Sequence, residues 1–565
     1  MKSIFMTCSR GLFIALLVAT SLSLTPFISS AQSETDVVRY SRSELAGSSR
    51  YKGMAGAMGA VGADFSSVRQ NPAGLGLNRR YFGLSFSSDL ERHSHGAEWM
   101  GKKGDDNTSH LTFSELSLVM LLPTSDDTDV SLGFGFQREY DFSRKVNISA
   151  ANPGASLADY VSAMLNNIQN RTGGLISHKD LGAKNFNNPR IPWLGILAYE
   201  GGWIDSNDEA GGVYFPRYVY GDKIELPTAG EMWLEESGSK FRYDMNIGVG
   251  IGETFYFGSG LDIHSISYQG KSNYTEWFLK DDSDGKEDYL GLDGLVESKG
   301  VGMGLSVGVI YAPVPELRLG AAYHSPTWWS MERDFRATAS SRYGGDRALL
   351  DEHGNVVKDL KVQSEDGLNR FSMRTPGRFA ASAALILGQR AVLSADYEYI
   401  DVGTAKLSDD EVASAYQADN SAIKEDFGSE HIFRLGAEFR LTNRLSLRAG
   451  TMQGSQPVKN KRLTNFSGSQ EQEVLVAGTT PHYVLPGKSS AYTLGWGYRI
   501  TPEWSLDMAL VWQRYESHLI TFPFINDEGA LLGSPAGLVE PRFTQKPITL
   551  NRDKMTISAT LAYRF

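Results

Sequence analysis

From Tyr81 to the C-terminus apolar residues recur at every second position, the period of a strand with one greasy face. The last stretch shows it best: Met555, Ile557, Ala559, Leu561, Tyr563 and Phe565 alternate with Thr556, Ser558, Thr560, Ala562 and Arg564. The same alternation comes in pairs joined by short turns, at 241–252 with 255–268, 300–312 with 316–329, 371–387 with 390–401, 430–441 with 445–453 and 490–500 with 504–517. Adding 81–88, 109–122, 128–142 and 553–565 predicts about fourteen strands, an even number as single-chain outer-membrane barrels have. The predicted fold is all-β, a transmembrane antiparallel β-barrel. Polar segments between the pairs, at 269–299, 330–369, 402–429, 454–489 and 518–552, are predicted as long loops on the outer side, opposite short periplasmic turns. A soluble β-sandwich also alternates. Its wet face would carry more Lys, Glu and Thr than the glycine-rich 300–309 does. Tyr311, Tyr323, Trp328, Tyr498, Trp504, Trp512 and Tyr563 near predicted strand ends fit interfacial girdles.

Two segments break the period. Residues 32–80 are rich in Gly, Ala and Ser, precede the first strand and therefore start at the periplasmic end, well placed to enter the lumen as a hatch. Residues 143–240 are too long for a hairpin loop, helical in pattern at 156–168, and carry the apolar run Ile191 to Ala198. The predicted organisation is a signal peptide at 1–31, a hatch or plug at 32–80 and a barrel at 81–565.

Composition narrows the role. Lys2 and Arg10 ahead of an apolar run at 11–24, then Ser29, Ser30 and Ala31, have the form of a secretory signal cut after Ala31. Cys8, the single cysteine, lies inside it, so disulfide and thiol chemistry are excluded from the mature chain. The formal charge of −11 becomes more negative once Lys2 and Arg10 leave, which argues against nucleic acid as a partner.

The words Gly59-Ala60-Val61-Gly62-Ala63-Asp64 and Asn71-Pro72-Ala73-Gly74-Leu75-Gly76, ahead of such a barrel, resemble the FadL family of outer-membrane transporters for long-chain fatty acids and aromatic hydrocarbons. Gly320-Ala321-Ala322-Tyr323-His324-Ser325-Pro326, placed at the top of one strand, resembles another recurring piece. The resemblance implies uptake of hydrophobic small molecules by a monomer seated in outer-membrane lipid and inserted by the barrel-assembly machinery. It implies no cofactor, a hatch signature on Asn71, Pro72, Ala73 and Gly74, outer loops folded into a ligand site, and exit through a kinked wall or past the hatch. Barrels of this fold also act as binding or shuttle components in protein secretion or surface attachment, so the fold leaves two roles open.

Residue by residue, Pro72 fixes its own backbone and biases Asn71 toward extended geometry, making 71–74 a tight bend. Leu157, Tyr160, Met164, Trp193, Leu194, Ile196, Leu197 and Trp203 are too apolar to stay in water and are expected to pack on one another, on the mouth or on a ligand. Parity turns the charges Arg434, Glu438 and Arg448 into the lumen, with Glu438 facing Arg448. The same parity turns inward Gly133, Gly135, Gly248, Gly250, Gly252, Gly258, Gly260, Gly302, Gly304 and Gly308, a smooth wall over four strands, low in the barrel, that is expected to receive the hatch. The Gly-x-Ser-x-Gly match Gly304 to Gly308 lies inside a predicted strand and not at the strand-to-helix turn of a nucleophile elbow, no His-Glu-x-x-His pattern is present, and no enzymatic role is expected. Asp282-Ser283-Asp284-Gly285 reads as a solvated acidic turn, and His93 with His95 lacks a third metal ligand.

Overall fold

A computed structural model describes residues 34–565, except 126, 183, 189–190, 221–222, 225, 281–285, 345–348, 351–354, 389, 410–411, 413–414, 460–464, 467–470, 473–478 and 524–545. The signal segment and the acidic turn at 282–285 lie outside the described residues. Fourteen antiparallel strands close into a barrel. They are β1 (Phe82–Trp99), β2 (Lys102–Ser125), β3 (Thr128–Asp141, continued by Arg144–Ala151), β4 (Ala229–Ile251), β5 (Phe255–Lys280), β6 (Glu287–Val314) and β7 (Leu317–His324, then Trp328–Arg342). They continue as β8 (Gly367–Arg374, then Arg378–Leu387), β9 (Ala391–Asp401), β10 (Ser429–Arg440), β11 (Leu445–Gly454), β12 (Tyr483–Arg499), β13 (Trp504–Ile520) and β14 (Ile548–Arg564). Each pairs with the next, and β14 closes on β1 from Gly83↔Arg564 to Glu98↔Thr549. Closure of β14 on β1 leaves no terminal edge strand.

The period of two does what it predicts. Along β6, Val301, Met303, Leu305 and Val307 each expose more than half of their surface, while Ser306 between them is buried. A belt of this kind is unfavourable in water, at about 25 cal/mol per Å² of apolar surface, and favourable in hydrocarbon. Among the described residues no helix is long and apolar enough to cross a membrane. The strands do so.

The outer loops are shorter than predicted. β5 and β6 stay paired beyond the belt, as Gln269↔Glu297 and Asn273↔Asp293. β7 runs on through 330–342, and β1 and β2 pair from Leu90↔Leu111 out to Trp99↔Lys102. Their turn is two residues, Met100 and Gly101, both at positive φ (48° and 82°), the hairpin geometry that matches strand twist. The physical reason is that a wall above the lipid faces water outside, so its outward residues turn polar while the ladder continues. The predicted loop 143–240 likewise begins and ends as strand, leaving 152–228 as the true outer segment.

That segment carries α-helices at Leu157–Thr172 and Trp193–Glu200, here α3 and α4. Ser156 caps α3 in a capping box with Asp159. Glu276 of β5 accepts the Ser156 hydroxyl (2.6 Å) and the Leu157 amide (2.7 Å), fixing a carboxyl at the positive end of the helix. Residues 34–77 thread the lumen as α1 (Glu34–Ser41), α2 (Ser49–Gly53) and two 3-10 turns, Phe65–Arg69 and Pro72–Leu77. Val37, Met54, Ala57, Met58, Val68 and Ala73 in this N-terminal segment have no solvent contact.

Candidate functional site: the N-terminal segment against the barrel wall

The turn Pro72–Leu77 forms because Asn71 caps it. The Asn71 Oδ1 accepts the Ala73 amide (3.0 Å), and its Nδ2 donates to the Val309 carbonyl of β6 (3.1 Å). Pro72 starts the turn, where its missing N–H costs nothing. The bend therefore carries its own register onto the wall.

There the wall is glycine. A Cβ on Gly133 or Gly135 would lie 2.9 or 1.9 Å from the Phe65 ring; on Gly248, 2.4 Å from the Gly76 amide; on Gly250, 2.9 Å from the Gly76 carbonyl. On Gly258 it would lie 2.2 Å from the Pro72 carbonyl carbon, and on Gly308, 2.0 Å from Asn71 Oδ1. These glycines stand on β3, β4, β5 and β6, which are consecutive. Four of the expected positions do something else. Gly252 sits in the β4–β5 turn with open space around it, and Gly260 lies against Asn246 and Ser306. Gly302 lies against the Trp329 ring, and Gly304 against Thr327 and Pro326. The wall is thus not at one level; parity gives the side of a residue but not its height. Sequence reading missed a second set: Gly436, Gly450 and Gly495 pack on 53–57, with a Cβ on Gly450 placed 2.6 Å from the Met54 carbonyl carbon.

Charge holds the other side. Glu438 and Arg448 are register partners on β10 and β11, bonded at 2.6 Å, and Arg50 of α2 joins Glu438 at 2.9 Å. Arg448 also reaches Asp507 (2.6 Å). Arg434 donates to Glu398 (2.9 Å), and Arg378 beside them donates to the Arg69 carbonyl (2.8 Å). Lys52 Nζ meets Asp89 and the Ser114 hydroxyl (2.7 Å). Burial pulls the Lys52 ammonium below its ordinary value, and the Asp89 carboxylate opposes that pull. Glu44 takes Lys554 (2.7 Å) and Arg552, and Asp396 takes the Gly59 amide (2.9 Å). Lys52 and Glu44 were missed; an ammonium and a carboxylate set in a small-residue segment were the available signal.

Two neighbouring strands are broken side by side, β7 at 325–327 and β8 at 375–377. Pro326 and Pro376 have no N–H for a ladder. The edges are tied instead by Ser325 N to Leu305 O (2.8 Å) and Thr375 N to Thr327 O (3.0 Å). The stretch Gly320 to Pro326 therefore ends in mid-wall rather than at the top of a strand, with Gly320 against Asn71 and the Gly59 carbonyl.

The eight apolar residues of the outer segment form one core with each other and the barrel mouth. Leu157, Tyr160, Met164, Leu194, Ile196, Leu197 and Trp203 are buried in it, and Trp193 packs on its edge and on Phe335. None of them lines the three described cavities, of about 50, 360 and 900 Å³.

No family model and no curated protein matches the chain. Among solved structures it is similar to a Pseudomonas aeruginosa FadL homologue, at 12% identity over 93% of this chain and 99% of that one, with a TM-score of 0.49. It is also similar to the toluene transporters TodX of P. putida (12%, 92% and 99%, TM-score 0.43) and TbuX of Ralstonia pickettii (14%, 92% and 99%, TM-score 0.42). The likeness runs along nearly the whole chain. At these values it carries no argument, and the fourteen-stranded barrel stands on its own ladder.

Proposed function

We propose that the protein is an outer-membrane channel for passive uptake of hydrophobic small molecules, such as long-chain fatty acids or aromatic hydrocarbons, with residues 32–80 as its hatch. The observation that carries this reading is a lumen filled by the N-terminal segment beside the interruptions of β7 and β8, where His324 meets the Gln70 carbonyl and Arg378 the Arg69 carbonyl. A filled lumen keeps polar solutes out. An interrupted wall flanked by Trp329, His324 and glycine offers a greasy solute a side passage into lipid instead.

The test is uptake of labelled oleate and toluene by cells lacking the protein and by the same cells complemented. Complementation raises influx of at least one of the two several-fold and leaves influx of a sugar unchanged. Unchanged influx of both, with secreted proteins held in the periplasm of the deletion strain, replaces this reading with that of a secretion shuttle.

A further inference from the structure

Glu91 and His93 on β1, His110 on β2 and Asp141 on β3 turn their side chains to one point. His110 Nε2 lies 3.3 Å from Glu91 Oε2 and 3.3 Å from Asp141 Oδ2; His93 Nε2 lies 3.5 and 3.7 Å from the same two oxygens. All four donor atoms fall within 4.8 Å of one another. A tetrahedral ion with ligands at about 2.1 Å has ligand-to-ligand edges of about 3.4 Å, so four of the six edges already have the required length.

The surroundings favour an ion over a hydrogen-bonded cluster. His93 is wholly buried, and neither of its ring nitrogens has a hydrogen-bond partner. A buried polar ring left so is unfavourable unless something else meets it. The outer oxygens of the carboxylates are already engaged, Glu91 Oε1 by Lys554 (2.8 Å) and Asp141 Oδ1 by the Ser143 amide (2.9 Å). Such bonds orient metal ligands and leave the inner oxygens for the ion. Arg138 now touches Glu91 Oε2 and reaches Asp141 Oδ2 (3.3 Å), standing in for a cation on both inner oxygens. It has to swing aside for one. Half-buried His110, 35% exposed, leaves an approach.

The place matters as much as the ligands. The ladder between β2 and β3 stops outward at Glu115↔Gln137. Further out, Gly104 lies against the Asn147 carbonyl. Between these points the wall has a seam without strand pairing, and His110 and Asp141 stand on its two sides.

We propose that Glu91, His93, His110 and Asp141 form a site for a divalent transition metal of the Zn²⁺ kind, and that the bound ion staples β2 to β3 across this seam. Two imidazoles with two carboxylates suit zinc, and four protein ligands make a closed, structural site rather than a catalytic one. The tag-free mature protein, stripped with chelator and titrated with Zn²⁺, takes up one equivalent. Amide exchange then slows at 105–114 and 138–146. His110→Ala and Asp141→Asn weaken binding by more than about 100-fold, beyond what loss of a ligand's hydrogen-bond partner gives. Arg138→Gln removes no ligand and one competitor, so it binds at least as tightly as the parent. The proposal is overturned by absence of stoichiometric Zn²⁺ uptake, by equal uptake in a folded His93→Ala/His110→Ala barrel, or by weaker binding in Arg138→Gln.

Discussion

On β3 to β6 the wall receives Phe65 and the Asn71–Gly76 turn on bare backbone; the rest of the segment is met by charge, from Lys240 of β4 and Arg333 of β7 round to β8–β11, β13, β14 and β1. The glycine side makes contact by shape and by the neutral hydrogen bond from Asn71 to the Val309 carbonyl. Gly258 against Pro72 and Gly308 against Asn71 leave no room for a methyl group, yet no ion pair ties the Asn71–Gly76 turn to that wall. The charged side is directional: Lys52 with Asp89, Arg50 with Glu438, and Glu44 with Lys554 fix where the segment sits. The difference teaches that register and fit are separate tasks here. Charge sets position, and glycine allows approach.

Breaking the charged side has the largest effect. Lys52→Met leaves Asp89 buried without its cation, and breaking a buried pair costs about 3–5 kcal/mol. The urea midpoint of the folded barrel falls accordingly, and Lys52→Met/Asp89→Leu recovers most of it, because the charge left behind is the penalty. A double variant no more stable than Lys52→Met contradicts this.

Crowding the glycine side comes next. Gly258→Ala forces Pro72 back and costs about 1–3 kcal/mol, and black-lipid conductance rises as the segment shifts. Gly304→Ala, whose Cβ meets the movable Thr327 hydroxyl at 3.2 Å, leaves conductance unchanged. Equal behaviour of the two variants would erase the distinction between a wall that receives the segment and one that flanks the strand break.

A smaller effect follows at the bend. Asn71→Ala loses the cap of the Pro72–Leu77 turn and the bond to Val309, about 1 kcal/mol, read as faster amide exchange at 73–77 with the barrel intact. The charged anchors keep exchange at 48–54 unchanged.

Much of this comparison was legible in the chain. The period of two gave the strands, and counting from Leu441 and Leu445 across one turn put Glu438 opposite Arg448. Parity also placed Gly133, Gly248 and Gly258 inward, since it needs only neighbouring residues. What stayed hidden depends on height or on three strands at once. The strand ends above the lipid lose their apolar alternation, so 269–280 and 330–342 looked like loops. Glu91, His110 and Asp141 share no sequence neighbourhood; their meeting rests on the β1–β2 register and on the end of β3. Pro326 and Pro376 were visible, but their adjacency required the β7–β8 pairing.

The mildest prediction sharpens the contrast between lumen and outer segment. Burial pushes the Asp159 carboxyl of α3 up to about 7, with the Ser156 amide pulling the other way. The folded value lies above the ordinary one of about 3.9, so the stabilisation is complete below about pH 4 and is lost as pH rises through 7. Amide exchange over 157–172, corrected for its intrinsic pH dependence, quickens a few-fold between pH 5 and pH 8, and Asp159→Asn removes that change. Exchange at 48–54 serves as the reference.

The proposed role requires that the N-terminal segment, beneath the packed outer segment, is what seals the lumen against ions. Deleting residues 33–76 and measuring conductance in planar bilayers tests it most directly. The account predicts that the intact protein is silent to ions, while the deletion variant inserts, migrates as a folded barrel and opens a steady ion-conducting pore. A variant that inserts and stays silent contradicts it, as does an intact protein that conducts ions as well as the deletion.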